Sequence, residues 1–344
     1  MSEYNPSAVG IKGTIFGYPY SIEQADLVLL PVPWDVTVSY GAGTANAPEL
    51  LREESSQLDF SIPHINDVHT YPVAMDAMDE ELHRLSIANR SEAEGLIASL
   101  EESGELTPEE QKVQTEINAR CTQMIANVRK RATAFLSKGK VVASVGGDHS
   151  TPLGLLQAVA EQHDSFGILQ IDAHMDLRNS YEGFTYSHAS IMFNALNLPQ
   201  ITKLVQVGIR DYCEEEVEVV KEMEGRVAVY FDEHIQRQKW AGISWIDLAN
   251  KIVAELPEKV YVSFDMDGLD PSMCPNTGTP VAGGLQFVET VYLLEEIVRS
   301  GRTLIGFDVS ECGNDSWDAN VASRILLRLC AITGISRGKL FLSE

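Results

Sequence analysis

Apolar residues cluster in short runs at intervals along the chain. The runs cover 27–31, 141–145, 166–171, 204–209, 226–231, 260–264 and 304–309. Several are apolar on successive residues instead of alternating. That is the pattern of strands buried on both faces of a parallel sheet. Between them lie helical patterns, as at 153–162 and 287–300. Strands alternating with helices predict an α/β protein with a mainly parallel sheet.

Residues 78–138 break the rhythm. They are charged and nearly without strand signals. The pattern predicts helices over 91–103 and 108–137, joined by a turn at Gly104. Thr107 is placed to cap the second helix, Pro108 suits its first position, and Glu110 completes a capping box. The segment reads as a helical insertion at the surface or an interface, carried on one domain that spans 1–344.

Composition narrows the partners. Lys plus Arg total 26 and Asp plus Glu total 50, a formal charge of −24, while 44% of residues are hydrophobic. That hydrophobic share supports a packed core. The charge argues against nucleic acid, which is bound by clustered Lys and Arg. No run of about 18 apolar residues suggests a membrane span. The first twenty-one residues hold one lysine and no apolar leader core, so a cytoplasmic protein is expected. The five cysteines are scattered without a CxxC pair, as free thiols in a reducing compartment would be.

The chemistry lies in three segments, each following a strand-like run: Gly146-Gly147-Asp148-His149-Ser150, Asp172-Ala173-His174-Met175-Asp176, and the stretch from Ser263 to Pro271 that holds Asp265 and Asp267. In extended chain, residues two apart face the same way. Asp172, His174 and Asp176 then project together, as do Asp265 and Asp267. Converging buried carboxylates are costly unless a cation offsets them. Asp oxygens and His nitrogens without sulfur suit Mn²⁺, and ligand type alone leaves zinc, cobalt, nickel and iron open. Six ligands are too many for one tetrahedral zinc. They suit two ions about 3.5–4 Å apart, sharing carboxylates and a water-derived hydroxide.

Together these motifs resemble the ureohydrolase family of arginase, agmatinase and formimidoylglutamase. The likeness covers about 26–76 and 139–340 and includes Pro31-Val32-Pro33-Trp34-Asp35, Ser39-Tyr40-Gly41-Ala42-Gly43 and Ala47-Pro48. It implies an arginase-like three-layer α/β/α fold and two manganese ions per subunit. One ion would be held by His149, Asp172, Asp176 and Asp265, the other by His174, Asp172, Asp265 and Asp267. Asp172 and Asp265 would bridge. The implied reaction is hydrolysis of a guanidino compound by a metal-bridging hydroxide, releasing urea and an amine. Catalytic roles would fall on His188 as proton shuttle, on Asp176, and on Glu311, which would hold the guanidinium. The family also implies a homo-oligomer, a trimer or hexamer.

The substrate is read from fewer residues. Asp211 matches an acid that arginases use toward the substrate amino group. Arg178 matches a residue that would bind a carboxylate in formimidoylglutamases. The segment from Tyr186 to Met192 is most like agmatinase-type sequences, so agmatine is the expected substrate. Arginine, guanidinobutyrate, free guanidine and formimidoylglutamate are the alternatives.

Overall fold

A computed structural model of the chain describes residues 5–7 and 9–343. The leader reading begins on residues 1–4, which lie outside the described residues. The strands are β1 (Leu27–Val32), β2 (Val73–Met75), β3 (Val141–Gly146), β4 (Phe166–Ile171), β5 (Ile201–Ile209), β6 (Val227–Phe231), β7 (Lys259–Asp265) and β8 (Thr303–Ser310). The helices are α1 (Ala47–Glu54), α2 (Glu80–Ser103), α3 (Pro108–Leu136), α4 (Leu153–Ala160), α5 (Ile191–Ala195), α6 (Glu214–Glu222), α7 (Asp232–Trp240), α8 (Trp245–Ala254), α9 (Phe287–Arg299) and α10 (Ser316–Ser336).

Among the described residues, the eight strands join one sheet in the order β2-β1-β3-β8-β7-β4-β5-β6. Every pairing is parallel. Side-chain alternation makes the layers. From β3, Val141, Ala143 and Val145 point into the core shared with α1, α8, α9 and α10. Val142 points into the opposite core, shared with α2, α3, α4 and α5. The result is the expected α/β/α arrangement. Strand β2 escaped the sequence reading because three residues after Pro72 are too short to show a period.

The segment 78–138 differs from its sequence reading. The capping box at Thr107 and Glu110 forms, and Gly104 closes α2 with φ 76°. However, α2 begins at Glu80, with Asp79 Oδ1 accepting from Leu82 N at 2.9 Å, instead of near residue 91. Helix α3 is also no free surface element. Its Ile117, Cys121, Met124, Ile125, Val128 and Ala132 are buried in the same core as the sheet residue Val142 and helix α4. These residues recur at helical spacing, but the charges between them mask the stripe. Val128→Asp is therefore expected to cost about 3 kcal/mol or more in denaturant unfolding. A change within about 0.5 kcal/mol would put α3 back at the surface.

Helix α10 is long and apolar enough by composition to cross a membrane, a match the sequence reading passed over. In the fold 72% of that apolar window is buried, packed as the core helix beneath β8.

Candidate active site

Four adjacent strands deliver the candidate residues. Across the sheet, β3, β8, β7 and β4 are neighbours. Their carboxyl ends lead into His149, Glu311, Asp265–Asp267 and Asp172–Asp176, respectively. Ligand sites of open parallel sheets form outside such strand ends.

His149 is at the centre of the first cluster. Its Nδ1 lies 3.0 Å from Asp172 Oδ2, 2.9 Å from Asp176 Oδ2 and 3.1 Å from Asp265 Oδ2. Yet Nδ1 is buried and makes no hydrogen bond of acceptable geometry. A single ring nitrogen carries at most one proton and cannot satisfy three carboxylates. The other ring nitrogen, Nε2, sits 2.9 Å from Ser263 Oγ, which fixes the ring with Nδ1 facing the acids.

His174 anchors the second cluster. Its Nδ1 is 3.0 Å from Asp267 Oδ2 and 3.6 Å from Asp172 Oδ1. The two oxygens of Asp172 thus face the two clusters. His149, Asp172 and Asp265 form one grouping able to hold a metal, and Asp172, His174 and Asp267 form another.

The route to convergence differs from the alternation inferred from sequence. Strand β4 ends at Ile171, and Asp176 has a left-handed φ of 55°. The backbone turns because short carboxylates capture amides two residues on. Asp172 Oδ1 accepts from His174 N at 2.6 Å, and Asp265 Oδ1 accepts from Asp267 N at 2.8 Å. Met192 N and Phe193 N, at the start of α5, both donate to Asp176 O at 3.1 Å and hold its unusual conformation.

The electrostatics fit a cation. Burial pushes the Asp176 carboxyl up to about 7, with Asp172 adding repulsion. Burial, then Asp267 and Asp172, raise Asp265 well above the ordinary carboxylate range. Burial opposes charge on His174, but Asp267 and Asp172 outweigh it and lift the imidazole to about 12. A raised Asp176 contributes stability that is full below the unfolded value of 3.8 and lost as pH rises through about 7. Cation binding gains as the same protons leave. The Tm gap between manganese-supplied and chelator-treated protein is therefore expected to widen from pH 5 to pH 8. A gap that stays constant, followed by scanning fluorimetry, would mean these carboxylates hold no metal.

The remaining candidates surround a cleft of about 120 Å³, lined by His174, Asp176, Arg178, Tyr181, His188 and Asp211 among others. His188 Nε2 is 3.5 Å from Ser39 Oγ, and Nδ1 is 3.2 Å from Ser187 Oγ. Burial, then the cationic His174, holds its pKa down at about 3, so the ring is neutral. Asp211 is 67% exposed at the cleft mouth, with Oδ2 3.8 Å from His174 Nε2. Glu311 does not line the open cleft. Buried at φ 58°, it accepts from His149 N through Oε1 at 2.9 Å. Its Oε2 is buried without a partner. Left-handed non-glycine residues such as Asp176 and Glu311 store strain of the kind that gathers at functional sites.

Arg178 is less available than its sequence position suggests. Its Nε lies 3.9 Å from Glu216 Oε2, and its guanidinium stacks on Tyr181 at 4.7 Å. Glu216 and Tyr181 were not singled out from sequence. Glu216 is buried and accepts from Leu177 N at 3.0 Å and Cys213 N at 2.9 Å, so it ties α6 to the Asp176 turn. The helix-start pattern from Cys213 to Glu216 was the available signal. Asp35 closes the Pro31–Asp35 motif. It accepts from Gly43 N at 2.8 Å, and Ser86 of α2 donates to it at 3.2 Å.

Fold and site thus define a parallel α/β protein with two His/Asp clusters at the strand ends that could hold metal. The Arginase family profile matches residues 25–331. An N(1)-aminopropylagmatine ureohydrolase of Thermus thermophilus is 30% identical over 322 residues, 93% of this chain and 94% of that one. An agmatinase of Bacillus subtilis is 27% identical, over 88% of this chain and 90% of that one. The agmatine ureohydrolase structure of Thermoplasma volcanium shares the fold at a TM-score of 0.70 and 23% identity, with 97% of each chain covered. The chain belongs to the arginase family, hydrolases that act on the C–N bonds of linear amidines.

Proposed function

We propose that this chain is a binuclear manganese ureohydrolase of one domain, converting agmatine and water to putrescine and urea. The observation that carries the reading is His149 Nδ1, buried among three carboxylate oxygens at 2.9–3.1 Å with no hydrogen bond. His149, Asp172, Asp176 and Asp265 would hold one ion, and His174, Asp172, Asp265 and Asp267 the other. When bound, two Mn²⁺ ions supply the Lewis acidity that activates water at neutral pH.

The chain's own residues do the rest. Glu311 Oε2, an acceptor without a donor, accepts from the substrate guanidinium. Asp176 and its neighbours set a negative field that favours a cationic ligand. His188 would pass a proton through Nε2 to the leaving amine, with Ser39 beside it, once His174 no longer carries the charge that helps hold its pKa down. Asp211 accepts from a distal ammonium at the mouth. Arg178 is balanced by Glu216, which disfavours a substrate carboxylate at that wall. A homo-oligomer, trimer or hexamer, completes the reading.

A second substrate has a specific basis. The Thermus relative is named for N(1)-aminopropylagmatine, and Asp211 stands exposed where a longer polyamine tail would leave the cleft. The test is a side-by-side panel on manganese-loaded enzyme. It compares agmatine, N(1)-aminopropylagmatine, arginine, guanidinobutyrate and guanidine by urea release, and formimidoylglutamate by formamide release. Highest kcat/KM on agmatine is expected. Silence on all the urea-yielding compounds would sink the proposal.

A further inference from the structure

A short turn beside the cleft is gripped by a helix distant in sequence. Tyr181 N donates to Phe184 O at 3.1 Å, and Phe184 N donates to Tyr181 O at 2.8 Å. Between them, Glu182 and Gly183 have φ of 52° and 78°. Two successive left-handed residues make a mirror-image tight turn. Glycine adopts that conformation freely, whereas glutamate resists it. Something outside the turn must therefore support it.

Helix α3 supplies that support. Gln114 Nε2 donates to Glu182 O at 3.0 Å, and Asn118 Nδ2 donates to Gly183 O at 3.0 Å. Asn118 Oδ1 accepts in return from Thr185 N at 2.9 Å. The approach is close enough that a Cβ on Gly183 would collide with the Gln114 amide. Phe184, fully buried, anchors the far side.

The other end of the turn faces the cleft. The Tyr181 ring stacks under the Arg178 guanidinium at 4.7 Å and meets the His188 ring edge-on at 6.0 Å. All three side chains line the cleft.

We infer that Gln114 and Asn118 are positioning residues that hold the 181–184 turn so that Tyr181 forms the substrate-selecting wall. That wall suits the aliphatic chain of a guanidino compound with a cationic tail. The inference rests on the proposed guanidino chemistry, and it gives α3 a part in specificity.

The test uses the full-length, manganese-loaded Gln114→Ala/Asn118→Ala double variant. KM for agmatine is expected to rise roughly tenfold, with kcat within about twofold of the parent. Backbone amides of 181–188 should exchange faster, and metal content should stay level. Thr115→Ala is the control, since its hydroxyl bonds only Gln111 O on the same helix, and it should match the parent in both readouts. Asn118→Asp keeps the acceptor for Thr185 N and should fall between. Unchanged exchange would show that α3 does not hold the turn. Faster exchange with an unchanged KM would show that the turn does not select substrate. Either result overturns the inference. Absent urea release by the parent enzyme instead counts against the proposed function, and the exchange measurement alone then decides the clamp.

Discussion

Asp265→Ala is expected to lower urea release by more than about 10³-fold and to strip manganese from the protein. Two roles fall together in this substitution. Asp265 Oδ2 is one of the three oxygens around His149 Nδ1, at 3.1 Å. Its Oδ1 accepts from Asp267 N at 2.8 Å and shapes the turn that presents Asp267 to His174. Losing Asp265 therefore damages both clusters. Stability should respond through pH. Without metal, burial, then Asp267 and Asp172, hold the Asp265 carboxyl far above its ordinary pKa, so its contribution to stability is lost as pH rises above the unfolded value. The variant lacks that titration, so from pH 5 to pH 8 its chelated form should lose less Tm than the chelated parent. Metal analysis, urea release and scanning calorimetry check the three parts. A variant that keeps its full manganese would break the ligand assignment.

Glu311→Gln separates substrate binding from metal binding. The substitution keeps the side-chain shape and an acceptor for His149 N, now served by Oε1 at 2.9 Å. It removes the capacity for negative charge, which burial and then Asp148 oppose until a cation arrives, and turns one oxygen into a donor. Oε2 is buried and unpartnered, so a guanidinium that reaches it would form a charge-assisted hydrogen bond in a water-poor place. The variant should keep its manganese and its Tm while kcat/KM on agmatine falls roughly 10²-fold. Near-parental turnover would remove Glu311 from the guanidinium site and leave its hydrogen bond to His149 as its only role.

The legible part of the site was its residue types. Histidine and aspartate two apart after apolar runs signalled cation chemistry, because buried carboxylates are tolerated only when compensated. Three features stayed hidden. The Asp176 turn depends on amides of α5, a contact between separate segments. Glu216 pairs with Arg178 at 3.9 Å from α6, an approach between two separate segments. The buried stripe of α3 is diluted by charges, and its face toward the sheet exists only once β3 and α4 are beside it.

Sequence by itself determined the strand runs, the capping box at Thr107, and a set of candidate ligands whose oxygen and nitrogen donors suit a hard cation. Those are local properties, set by side-chain chemistry and short-range periodicity. Tertiary structure decided which of those ligands meet. Strands β7 and β8 come last in the chain, yet they insert between β3 and β4. Neighbouring strands lie about 4.8 Å apart, so this order brings His149, Glu311, Asp265 and Asp172 to one edge. No spacing along the chain encodes that adjacency, because it arises from sheet pairing between segments far apart in sequence.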